Sequence, residues 1–125
     1  MSRYHYVFIK PGQPAERLVS DISTACGTRL RPVDDEFIDY AANLGSSAVE
    51  VELTHEYEEA FGMPFEKYDA LCSVRDFESD LTRQGNVARQ IFANLASLNR
   101  YSLLLTLDLQ VLIDTAEPQK ESTAE

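Results

Sequence analysis

Apolar and polar positions alternate with two different periods along this chain, and the switches between them divide it into elements. Tyr4–Ile9 is apolar on both faces. Tyr4, Tyr6 and Phe8 alternate with His5, Val7 and Ile9, the pattern of a central strand. Lys10-Pro11-Gly12-Gln13-Pro14 ends it, because proline has no ladder donor and glycine supplies the turn. The period then lengthens. Ala15, Leu18, Val19, Ile22, Ala25 and Cys26 form one helical stripe, with Pro14 at its start and Gly27 as its cap, so a helix is predicted over 14–26. Arg29–Val33 leads out as a connector.

Period two returns at 48–54, where Val49, Val51 and Leu53 alternate with Glu50 and Glu52. This is a strand with one buried and one wet face. Phe37–Leu44 reads as its partner strand across Gly45-Ser46-Ser47, with a short helix as the rival assignment. Glu56–Phe61 reads as a helical turn stopped by Gly62 and Pro64. Lys67–Phe77 alternates again, placing Tyr68, Ala70, Cys72 and Val74 on one face and leaving Leu71 as an exception. A second helix is predicted over 80–98, capped by Asp80, with a stripe of Leu81, Ala88, Ile91, Phe92, Leu95 and Leu98. Gly85 falls on that stripe, a position for close packing, and Asn99 ends it. Tyr101–Leu107 is a strand of high apolar content. Leu109, Leu112, Ile113 and Ala116 fit a helical stripe and a strand equally well.

The order is strand, helix, two or three strands, helix, strand. That order predicts an α+β fold, a ferredoxin-like sandwich with two helices on one face of a mostly antiparallel sheet of four to five strands. Residues 1–117 form one domain and 118–125 a flexible polar tail. In that topology the last strand is an edge, so Tyr101–Leu107 is expected to be covered by residues 109–117 or paired in a homodimer.

Composition changes the picture through charge. The 125 residues carry 11 basic and 21 acidic side chains, a net charge of -10. The imbalance is local: residues 1–33 hold five basic and two acidic groups, whereas residues 34–80 hold two basic and fourteen acidic groups. A nucleic-acid backbone binder, which needs lysine and arginine, is argued against. The start of the chain has neither the apolar core nor the cleavage site of a secretory signal, and no apolar run reaches a membrane span, so a cytoplasmic protein is expected. Cys26 and Cys72 are read as buried free thiols.

Candidate chemistry is sparse. His55-Glu56-Tyr57-Glu58-Glu59 is the one cluster with a metal-like look, since His55 and Glu59 would share a helical face. A second histidine is missing there, and His5 is the only other imidazole, so no metal and no cofactor is assigned. His5 reads as a satisfied structural histidine. Carboxylate pairs such as Asp34/Asp35 and Glu58/Glu59 sit on exposed turns, where nothing splits their pKa values into acid and base roles. The five glycines stand singly, so no phosphate loop is present.

The acidic third carries tyrosines, and acid with tyrosine suits a surface that meets a basic protein. Asp34, Asp35, Glu36, Asp39, Tyr40, Glu56, Tyr57, Glu58 and Glu59 are the expected partner-binding residues, weighed against a merely solubilising face. The expected function is a small acidic non-catalytic binding module, in its most concrete form an immunity or antitoxin-type inhibitor of a basic toxin such as a nuclease. The alternative is a small-molecule enzyme or ligand sensor on a dimeric scaffold of the same fold.

Overall fold

The computed structural model describes residues 3–119. Its elements are β1 (His5–Lys10), α1 (Ala15–Cys26), β2 (Arg31–Pro32), β3 (Tyr40–Asn43), β4 (Ser47–Glu52), β5 (Ala70–Asp76), α2 (Leu81–Ala96), β6 (Ser102–Leu107) and β7 (Val111–Ala116). All seven strands join one antiparallel sheet in the order β2-β3-β4-β5-β1-β6-β7. The chain leaves β1 through α1 to the far edge, returns by the β2–β5 meander to β1, and crosses through α2 to the other side of β1.

The ferredoxin-like sandwich of four to five strands is therefore corrected. The class is α+β with two helices, but the sheet has seven strands. The extra strands come from segments whose apolar pattern is weak. β2 has two exposed residues, too few for a period. β7 pairs with β6 across a register shift and exposes Val111 and Leu112, so neither period is clean there. β7 nevertheless supplies the cover that the apolar β6 was expected to need.

The helices follow their predicted bounds. Pro14 opens α1, and Gly27 closes it in the left-handed conformation at φ 75°, donating its N–H to carbonyls of the last turn. The Asp80 side chain accepts from Arg83 N at 3.0 Å and caps α2. Leu18, Ile22, Ala88, Ile91, Phe92 and Leu95 are buried against Val7, Ile9, Val49, Val51, Cys72, Val74, Leu103 and Leu105 of the sheet. Several expected members of the stripes differ. Leu81, in the first turn of α2, is exposed, and Ala15, Val19, Cys26 and Leu98 are only half-buried.

Gly85 lies over His5: a Cβ there would meet His5 Nε2 at 3.2 Å. His5 Nδ1 receives Gln84 Nε2 at 2.8 Å, and the same amide donates to Arg3 O while its oxygen accepts from Asp76 N. Buried His5 is thus held by hydrogen bonds. Cys72 is buried, Cys26 is half-buried and both are free thiols. Among the described residues no helix is long and apolar enough to cross a membrane. Of the expected tail, Pro118 and Gln119 are exposed, Gln119 exchanging hydrogen bonds with Asn99, and residues 120–125 lie outside the described residues.

Candidate functional site

The sheet face away from the helices carries the candidate surface. Its alternate residues include Tyr6 and Phe8 of β1, Glu50 and Glu52 of β4, Leu71 and Ser73 of β5, and Leu104 and Thr106 of β6. Glu50 and Glu52 point away from the helices as the alternation of β4 predicted, since Val49 and Val51 fill the helix side.

An irregular strap, residues 54–69, crosses this face. It contains no helix at 56–61, which corrects that expectation. Phe61 and Gly62 take positive φ of 52° and 81°, and Ala60 pairs with Met63 instead. The strap turns because Met63, Phe65 and Tyr68 bury themselves on Phe8, Leu71 and Leu104. Phe65 stacks on Phe8 with centroids 4.4 Å apart. This buried patch also accounts for Leu71, the apolar exception in β5.

The strap delivers Tyr57 to the sheet, 6.3 Å from the Phe8 ring and 6.4 Å from the Tyr6 ring. Burial, then neighbouring phenols and the carboxylates of Asp108 and Glu52, hold the Tyr6 hydroxyl well above the usual phenol range. Tyr57 is raised mainly by burial and then by Glu52. Both phenols are therefore neutral, with Glu52 and Asp108 as nearby anions.

Glu52 itself is pushed up to about 6 by burial and by the charges of Asp39, Glu50 and Asp35. These four carboxylates form one electrostatic group. Asp39 is fixed by accepting Leu53 N at 2.8 Å, and Asp35 by Phe37 N and Ile38 N, which lower its pKa. The ion pairs among the described residues are Arg83–Asp76, Arg83–Glu78 and Arg100–Asp21, none of which touches this group.

The expected binding residues are thus only partly gathered. Asp35 and Asp39 join Glu52, and Tyr57 lies beside it. Glu56, Tyr57 and Glu58 border a shallow depression with His55, Glu66 and Asp69. Glu59 accepts from Gly62 N at 3.0 Å and closes its own turn. Asp34 and Glu36 are exposed on the β2–β3 loop. Tyr40 lies on the helix side, opposite Val51 and against the main core, so the sheet separates it from Tyr57. Sequence reasoning left Tyr6, Glu50, Glu52, Asp108, Glu66 and Asp69 out of the site. The alternation of β4 was the available signal for Glu50 and Glu52; the others depend on strand register and the strap.

The nucleophiles and bases are occupied or muted. Burial raises the Cys26 thiol to about 11 and pushes Cys72 higher still. His55 uses both ring nitrogens on backbone groups, Tyr68 O at 2.6 Å and Tyr57 N at 3.1 Å. Among the described residues no group of three His, Cys, Asp or Glu side chains is arranged to hold a metal ion. What the surface offers is carboxylate that forms no ion pair among the described residues, beside half-buried tyrosine, an arrangement that attracts guanidinium or ammonium groups. No family model matches the chain, and neither curated proteins nor solved structures give a significant match.

Proposed function

We propose that this protein is a small acidic, non-catalytic binding module whose strap-side face docks a basic protein partner. The observation that carries the reading is Glu52. It is half-buried among Asp39, Glu50 and Asp35, its pKa is raised to about 6, and no cation among the described residues forms an ion pair with the group. A lysine or arginine from a partner would relieve that repulsion, while Tyr6 and Tyr57 would supply apolar contact and hydroxyls. Long-range attraction from a chain of net charge -10 would speed encounter.

The concrete form we favour is an immunity or antitoxin-type inhibitor that covers the positive cleft of a toxin such as a nuclease. Such a cleft is positive because its substrate is anionic, so an acidic surface can stand in for that substrate.

The test is capture of partners from the native host, followed by association kinetics against salt for wild type and for a Glu50→Gln/Glu52→Gln/Glu56→Gln variant. A basic partner is expected, whose on-rate falls as screening shortens to about 8 Å and falls about tenfold or more in the variant. A partner bound alike by both proteins and indifferent to salt would make the acid a solubilising face and overturn the reading.

A further inference from the structure

One imidazole ties the two ends of the strap to each other where it lies on Phe8. His55 Nε2 lies 2.6 Å from Tyr68 O, and His55 Nδ1 lies 3.1 Å from Tyr57 N. A backbone carbonyl can only accept and a backbone N–H can only donate. The two bonds together therefore require a neutral ring with its proton on Nε2. The ring packs edge-on against Phe8 at 5.4 Å and lies 5.5 Å from the Tyr57 ring.

We infer that His55 is a proton-operated latch: a proton taken up at Nδ1 removes the acceptor of Tyr57 N–H and frees the part of the strap that lays Tyr57 over Phe8 and Tyr6. The Tyr68 bond survives that step, because Nε2–H still donates. The latch therefore releases one side of the ring and keeps the other, loosening Tyr57 without detaching the whole strap.

The surroundings set where it opens. From β1 the ring meets Phe8, which is apolar, while Lys10 sits 5.2 Å over the Tyr68 ring. Asp69, just before β5, opposes the loss of charge but is itself engaged by Gly12 N at 2.8 Å. Glu56, Glu58 and Glu66 of the strap border the same depression, and Glu117 beyond β7 acts on Tyr68. Burial outweighs the Tyr68 bond and Asp69, so His55 stays neutral below the usual histidine range. Opening belongs to mildly acidic conditions. The other imidazole, His5, is on the helix side between Gln84 and Gly85 and makes no contact with the strap.

The experiment is imidazole nitrogen NMR together with amide exchange at Tyr57, on the intact chain, from about pH 7.5 to about pH 5. The Nε2–H tautomer is expected at the upper end. Tyr57 protection, corrected for intrinsic exchange, should fall about tenfold as His55 titrates, the equivalent of one lost hydrogen bond. Protection at Val7 in β1 should hold. A His55→Phe variant keeps a ring on Phe8 without a titratable nitrogen, and its Tyr57 protection should be low and independent of pH. An Nδ1–H tautomer, Tyr57 protection that ignores the His55 titration, or pH-dependent Tyr57 protection in His55→Phe would each overturn the latch. No partner is needed, so the result stands apart from the binding reading.

Discussion

The two faces of this sheet are covered by different means. On one, two amphipathic helices present continuous stripes, and their backbone groups are satisfied by their own ladders. The resulting interface is mainly apolar, running from Ala42 and Val49 at one side to Leu103 and Leu105 at the other. On the other face the cover is a strap with no helix longer than the three-residue turn Phe65–Lys67. Its apolar contacts are concentrated in Met63, Phe65 and Tyr68, and its backbone is satisfied by short turn bonds such as Ala60–Met63 together with the bonds of His55 and Glu59. A strap of this kind covers one row of the sheet and leaves the next wet, which is where Glu50, Glu52, Tyr6 and Tyr57 come together. Helices seal a face; a strap seals part of it and positions side chains along its margin.

The sharpest way to break this comparison is to ask whether the strap belongs to the same cooperative unit as the helices. Phe65 is fully buried, so Phe65→Ala should cost about 3–5 kcal/mol, while Leu95→Ala on the helix side should cost about 2–5 kcal/mol. Both should lower one shared denaturant midpoint with the slope unchanged. A Phe65→Ala protein of wild-type midpoint would show the strap folding separately from the sheet.

A smaller effect tests the polar seam on the helix side. Gln84 is buried and ties together His5, Arg3 O and Asp76 N. Gln84→Ala leaves those groups unpaired and should cost about 1–3 kcal/mol in urea unfolding. A neutral result would mean that water replaces the amide.

The helix face was legible because its signals are long and redundant. Sixteen residues of α2 carry an N-cap and a stripe, β1, β4 and β5 carry two-residue alternation in their sequence, and β6 is a six-residue run of high apolar content. The strap face was not. Its helical turn at 56–61 was read as ended by the breakers Gly62 and Pro64, but burial of Phe65 and Met63 on Phe8 decides that segment, and burial there depends on a sheet that must already exist. The same limit applies to the site. Which way Glu50 and Glu52 point follows from alternation, whereas the meeting of Glu52 with Tyr57 depends on β4–β5–β1 register and on the path of the strap. Tyr40 was grouped with Tyr57 because both lie among acids in sequence, and the pleat sends Tyr40 to the opposite side.

The cap of α2 offers a next, weaker test of what the helix side owes to local chemistry. Asp80→Ala removes the bond to Arg83 N and should cost about 1 kcal/mol by thermal unfolding. Asp80→Asn, which keeps an acceptor, should recover most of it.

The smallest effect has the opposite sign, and it separates the two faces most cleanly. Glu52 has its pKa raised from 4.5 to about 6 in the folded chain. The folded state therefore holds this proton more tightly than the unfolded state, and the stability that goes with it is fully present below about 4.5 and lost as pH rises through about 6. At neutral pH the ionised carboxylate works against folding, because Asp39, Glu50 and Asp35 repel it and burial strips its water. Glu52→Gln should then stabilise the protein at neutral pH, by less than about 1 kcal/mol because solvent screens a half-exposed group. The same variant should be neutral in acid, where the wild-type side chain is already protonated, and added salt should shrink the gain. Urea unfolding on both sides of the Glu52 titration is the check. A loss of stability at neutral pH would mean that a favourable contact holds Glu52 in place. A gain would fit a carboxylate kept against the interest of the fold, as expected of a group that waits for a cation from outside the chain.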